Sequence, residues 1–287
     1  MEVYNKMTTL AMIGRIVLLG LERIVVKQVG EDNNSIAVTV LFFGIGIIFL
    51  LPFVIGKNIS SFSFLPYAFI SSTIYSLTFV LYVKALSSGE VSLVTPIASF
   101  NILFLFLLSA VFLQEKISIL KISGILLIFY GSSYLKPGSN LIQSLKSIVK
   151  EKPCLYMLLS TLLLAVGRTI DKFAAAEVSS IIYTFVIYST ITIILVIYLL
   201  CKKEVKEIPA VFRKKPALST TSGIINVYSY MFLLIALKKI EVSVAVPLTM
   251  LSSLIAVILG KYIFKEKIRQ RLIAAIIIIT GSWLLLL

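Results

Sequence analysis

Residues 85–96, ALSSGEVSLVTP, return 151 positions later as residues 236–247, ALKKIEVSVAVP. Ala85-Leu86 falls on Ala236-Leu237, Glu90-Val91-Ser92 on Glu241-Val242-Ser243, and Pro96 on Pro247. The same shift carries Glu115-Lys116-Ile117 onto Glu266-Lys267-Ile268. A shift of 145 carries Arg23 and Lys27 onto Arg168 and Lys172, and Ser35-Ile36 and Thr39 onto Ser180-Ile181 and Thr184. The difference between the two shifts is taken up in the longer connection 202–216. Apolar matches arise by chance between any two greasy helices. Charged residues and prolines matching in order do not, so the chain reads as one unit written twice.

What each unit is made of follows from composition. Of 287 residues 59% are hydrophobic and 14% charged, and the mean hydropathy is +1.04. A soluble domain is nearer half apolar and about a quarter charged, and a soluble fold of this length has too little interior for so much apolar surface. A membrane-spanning helix needs roughly 20 apolar residues. Ten such runs occur, at about 7–27, 36–56, 66–86, 91–113, 118–135, 153–174, 180–201, 217–237, 242–264 and 270–287. They are too long and too continuously apolar for barrel strands, which alternate.

The expected fold is therefore all-α and integral to the membrane, with ten transmembrane helices in two five-helix repeats. Five is odd, so each repeat begins and ends on opposite sides of the bilayer and the second runs inverted to the first. The expected boundaries are 1–135 for the first repeat, 136–152 for a connector and 153–287 for the second repeat. Leu141, Ile142, Leu145, Ile148 and Val149, with Lys146 and Lys150 between them, suggest that the connector forms a helix in the membrane interface. A plain solvated loop is the alternative there and at 202–216.

The net charge of +14 excludes less than it first suggests. Lys and Arg crowd into short hydrophilic gaps such as 202–204 and 213–215, as in the loops of membrane proteins. No basic patch with interleaved aromatics marks a nucleic-acid partner. There is no histidine, and the two cysteines, Cys154 and Cys201, form no cluster. No metal site and no cofactor are expected. No Walker loop or other enzyme motif is present. In the first half Lys6, Lys57, Lys116 and Lys121 share the side of the termini, which places the termini in the cytoplasm; in the second half the basic segments 202–216 and 265–271 lie on the other side.

The doubled pattern of Ala85-Leu86, Glu90-Val91-Ser92, Pro96, Glu115-Lys116 and Gly124 resembles the EamA-type transporters of the drug/metabolite transporter superfamily. Gly20 with Lys27 in the first helix and Asp171-Lys172 at the end of the sixth are similar to that family too, while Leu19, Glu22 and Arg23 depart from it. The resemblance covers nearly the whole chain. It implies a secondary active transporter in the plasma membrane of a prokaryote, exporting or exchanging a small polar metabolite such as an amino acid, organic anion or sugar derivative. The implied mechanism is alternating access, driven by a proton gradient or by exchange. The alternative is a non-transporting receptor or assembly subunit on a transporter fold. Monomer and homodimer both stay open.

Charge inside a bilayer is costly and turns toward a partner or a wet cavity. Arg15 and Glu22 are seven residues apart on one face of the first helix, and Arg168 and Asp171 are three apart on the sixth. Arginine suits an anionic group, and a desolvated carboxylate suits proton uptake and release. The competing reading makes all four structural ion pairs. Arg23, Lys27 and Lys172 lie near helix ends, where snorkelling to the interface is the expected role. Tyr75, Asn226 and Tyr230, with Thr95 and Asn101 beside Pro96, are candidates for hydrogen bonds to substrate or between helices. Pro96 and Pro247 are expected to kink the fourth and ninth helices. Glu115-Lys116 and Glu266-Lys267 read as ion pairs at loop edges.

Overall fold

The computed structural model describes residues 6–57, 62–112, 118–135, 141–174, 178–237 and 248–284. Among these, every regular element is a helix. The first repeat holds α1 (Lys6–Gly30), α2 (Ser35–Val54), α3 (Leu65–Ser88), the short α4 (Val91–Val94), a 3-10 turn (Thr95–Ser99), α5 (Phe100–Phe112) and α6 (Ile119–Ser133). After α7 (Leu141–Lys150) come α8 (Lys152–Ala174), α9 (Ser180–Cys201), α10 (Glu207–Lys214), α11 (Pro216–Leu237), α12 (Ser252–Phe264) and α13 (Arg269–Leu284).

Local chemistry sets these boundaries, and repeat mates do it alike. Asn34 caps α2, its Oδ1 accepting from the N–H groups of Ile36 (2.9 Å) and Ala37 (3.3 Å). Its mate Ser179 caps α9 through Oγ and the N–H of Ile182. A side-chain acceptor here satisfies donors that the helix cannot. Both α3 and α11 begin with a proline in the first turn, Pro66 and Pro216, where no backbone donor is missed.

The fourth span, expected over 91–113 with a kink at Pro96, goes further than a kink. It breaks into α4, the 3-10 turn and α5, with Pro96 inside the turn. Proline offers no N–H and its ring crowds the preceding turn, so the helix tightens there instead of running through. The matching Pro247 lies outside the described residues.

Among the described residues, five helical segments are long and apolar enough to cross a membrane: Ser35–Val54, Leu65–Ser88, Val91–Leu108, Lys152–Asp171 and Ile181–Cys201. Shorter apolar helices cover Ile119–Ser132 and Leu248–Phe264. The burial pattern is that of a protein solvated by lipid. Ile48, Phe69, Leu77, Ile193 and Ile276 are exposed, while Thr39, Ser71, Ser72, Ser92, Thr95, Ser99 and Ser229 are fully buried. Serines and threonines inside a helical bundle let helices approach and hydrogen-bond across or back along them.

The packing between halves is reciprocal. Helix α1 packs on α11, and its mate α8 packs on α3. Helix α2 packs on α11, and its mate α9 on α3. Helix α1 also meets α12, and α8 meets α5. Two pairs are self-mated, α2 with α9 and α6 with α13. Exchanging the halves therefore returns these contacts between the repeats, as a pseudo-two-fold axis requires.

Both polar connections carry a helix. In α7, Ile142 and Val149 are exposed, as are Lys146 and Lys150. In α10, Val211 is buried against the bundle, and Lys214 and Lys215 reach back to Asn33 Oδ1 and the carbonyl of Gln28.

A candidate site at the polar centre between the repeats

Packed on α11 and on α3, helices α1 and α8 carry charged residues within electrostatic reach of one another. Arg15 is 9% exposed and Glu22 6%. The Arg15 Nη1 donates to Ser229 Oγ on α11 at 2.6 Å, while its Nε–H is buried with no hydrogen-bond partner. Glu22, Arg168, Tyr188 and Tyr230 all lie within electrostatic reach of Arg15. Glu22 accepts from the Tyr82 hydroxyl at 3.2 Å and lies between the charges of Arg15 and Arg23.

Arg168 and Asp171 are not paired with each other, as their spacing had allowed. Arg168 Nη1 donates to Asn101 Oδ1 at 2.8 Å, and Asn101 spends its amide on the carbonyl of Thr161 at 2.9 Å. Asp171 instead accepts from two phenols, Tyr75 on Oδ2 and Tyr183 on Oδ1 (2.5 Å). Tyr75 reaches it because α8 has no side chain at Gly167, where a Cβ would sit 2.3 Å from the Tyr75 ring. Asn226, the mate of Tyr75, accepts from the Tyr188 hydroxyl, and the Tyr188 ring lies 6.4 Å from that of Tyr230. Tyr230 is itself hydrogen-bonded to Thr184. Thr95 is buried, and its hydroxyl has no partner. The predicted residues thus fall into separate hydrogen-bonded groups, with Glu22, Arg168 and Tyr230 within electrostatic reach of Arg15, and Thr95 joins none of them.

Sequence reasoning missed part of this. Arg23 and Lys27, expected to snorkel, are 5% and 7% exposed and face the second repeat. Arg23 Nη1 donates to Ser253 on α12 at 2.9 Å, as its mate Arg168 donates to Asn101 on α5. The matching positions differ by one residue, so the two arginines play equivalent parts across the pseudo-axis.

Lys27 lies 3.3 Å from Glu266 and donates to the Gly89 carbonyl at 2.7 Å, with its ammonium 4.5 Å from the Phe264 ring centroid. Glu266 is not a loop-edge partner of Lys267. It is 8% exposed and accepts from the N–H groups of Val91 and Ser92, each at 2.8 Å, and from the Ser92 hydroxyl. Arg271 completes the cluster by pairing with Glu90 and donating to Ser92 Oγ at 2.8 Å. A cleft of about 460 Å³ opens here, lined by Lys27, Glu31, Glu90, Phe264, Glu266 and Arg271 among others. The signal was available, since Lys27, Glu90-Val91-Ser92 and Glu266 are all repeat-matched, but matching does not reveal partners. The side chain of Lys172, and Glu115 and Lys116, lie outside the described residues.

Duplicated, apolar and all-helical, with buried charges where its halves meet, the molecule is an integral membrane protein of the transporter class. The EamA-like transporter family model matches residues 6–135 and again 151–287, and the chain belongs to that family, within the drug/metabolite transporter superfamily. Among solved structures, one titled only "Crystal structure of protein" aligns over 98% of this chain and 98% of its own, with a TM-score of 0.62 at 14% identity. At that identity the likeness shows the fold alone. None of the curated proteins compared matches the chain.

Proposed function

We propose that the protein is a secondary active transporter that exports or exchanges a small polar metabolite by alternating access across the plasma membrane of a prokaryote. Ten spans in two inverted repeats, 1–135 and 153–287, carry it, with 136–152 as an interfacial connector and both termini cytoplasmic. The reciprocal packing supports the two-fold relation, and the odd number of spans per repeat turns that axis into the membrane plane. On this topology the Lys27–Glu266 cluster closes the external end.

The observation that carries the reading is the polar centre. Arg15, Glu22, Arg168 and Asp171 come from the two repeat-mated helices α1 and α8, and each binds groups on other helices. Ionisable groups at bilayer depth are expensive and are kept where a solute or proton passes. Glu22 is the coupling residue: its bonding partner is a neutral phenol, so it can exchange a proton without breaking an ion pair within salt-bridge distance.

The test is reconstitution. Purified protein in proteoliposomes is challenged with amino acids, organic anions, sugars and organic cations, with and without a pH gradient. Solute-dependent current or labelled-solute counterflow is expected, and Glu22→Gln should abolish gradient-driven uptake while leaving counterflow. Silence in both assays across the panel rejects transport.

A further inference from the structure

The hydrogen-bond inventory of the polar centre is lopsided. Its two carboxylates are supplied with donors: Glu22 by Tyr82, Asp171 by Tyr75 and Tyr183. Its arginines are not supplied with acceptors of matching charge. Arg15 and Arg23 each use Nη1 on a serine hydroxyl and each keep a buried Nε–H without a partner. Arg168 uses Nη1 on an amide oxygen. None of the three lies within salt-bridge distance of a described carboxylate. Among the described residues, three arginines thus stand against two carboxylates, and the Lys27–Glu266 pair beyond them is neutral in itself.

A buried donor left unmade is costly, and a buried charge left uncompensated more so. Water can satisfy an N–H but leaves the surplus positive charge. An anion answers both. The fit is best at Arg15, whose guanidinium is held from one side by Ser229 and has Nε free, so that a carboxylate can lie along its open edge. Arg168, within electrostatic reach of Arg15, adds a second positive charge from the other repeat. A solute amine is less well served: both oxygens of Asp171 already accept from phenols, and Glu22, with one oxygen on Tyr82, lies within reach of the charges of Arg15 and Arg23, which repel a cation.

We propose that the centre is an anion site and that its substrate class is a small organic monocarboxylate, bound by Arg15 with Arg168 as the second cation. The proposal takes its site from the transport reading above, and the experiment separates the two. The full-length protein in detergent is screened by thermal unfolding against monocarboxylates of rising size, each beside the amide and the amine of the same skeleton, with inorganic phosphate as a further anion. Carboxylates are expected to raise the Tm, with amides and amines giving no rise. Arg15→Gln should weaken carboxylate binding about tenfold or more, as the loss of a charge-assisted hydrogen bond does. Arg15→Lys should retain part of it, and supplies the test if the glutamine variant does not fold. Amides or amines stabilising as well as carboxylates would overturn the proposal. So would phosphate alone stabilising, no member stabilising, or a folded Arg15 variant binding like wild type. Carboxylate binding without counterflow in proteoliposomes would leave the anion site standing and reject transport; counterflow of amines or sugars alone would do the reverse.

Discussion

Lys27 and Glu266, 239 residues apart, lie 3.3 Å from each other in a buried pair that fastens the first helix of one repeat to the end of α12 in the other. The carboxylate also holds the first two N–H groups of α4, donors that a helix start cannot satisfy internally. One carboxylate thus joins three elements at this end of the bundle.

Breaking that pair from one side should be costly, because the other charge stays buried. Lys27→Met or Glu266→Gln should each lower stability by about 3–5 kcal/mol. The double variant should lose clearly less than the sum, since no lone charge remains. Thermal or denaturant unfolding of all four proteins measures the coupling. Additive losses would show that Lys27 and Glu266 act separately, for instance with Gly89 and Ser92 as their main partners.

Gly167 should matter through Tyr75. A Cβ there would overlap the Tyr75 ring, so Gly167→Ala must drive the ring off α8 and its hydroxyl away from Asp171. A loss of about 1–3 kcal/mol is expected, the cost of a disturbed core contact with a half-buried acceptor left short of a donor. In a Tyr75→Ala background the same substitution should cost almost nothing. An equal loss in both backgrounds would place the effect in α8 itself.

Much of this was legible in the sequence. Doubling and the apolar runs gave the all-helical, twice-written membrane protein, and the kink expected at Pro96 is a break in the fourth span. Partners were harder. Arg168 and Asp171, three apart on α8, look like a pair, yet each finds better-placed groups on neighbouring helices, Asn101 for one and Tyr75 with Tyr183 for the other. Lys27 near a helix end looks like a snorkelling residue, and Glu266 beside Lys267 like a surface pair. What decides both is packing between repeats, which brings together residues whose nearness no spacing encodes.

Glu90 gives a pH test in the same cluster. Hydrogen bonding from Arg271, and its charge, hold the Glu90 carboxyl below its ordinary 4.5. A depressed carboxyl pKa adds stability above the unfolded value, and that stability is lost as pH falls through the folded one. Wild type should therefore unfold at a higher temperature than Glu90→Gln near neutrality, with the gap closing as pH drops below about 4.5. A gap that stays constant down to about pH 3.5 would mean that the contact contributes through packing and not through its charge.

The seam between α6 and α13 is the self-mated contact of the fifth spans, and Gly281 sets its closeness. A Cβ at Gly281 would come within 2.7 Å of the Gly124 carbonyl oxygen and 2.9 Å of the Ile128 nitrogen, both main-chain atoms. Backbone cannot rotate aside as a side chain can, so the two helices must separate. Small residues at such seams let backbones approach where lipid supplies no hydrophobic drive. Gly281→Ala should cost about 1–3 kcal/mol, the usual range for overpacking. Gly44→Ala is the control: its Cβ would meet only the Thr192 methyl at 3.6 Å, ordinary contact. There the better helix propensity of alanine should leave stability unchanged or raise it by up to about 1 kcal/mol. Unfolding of both variants in the same detergent decides it, and equal effects at the two positions would mean that α6 and α13 do not pack backbone to backbone.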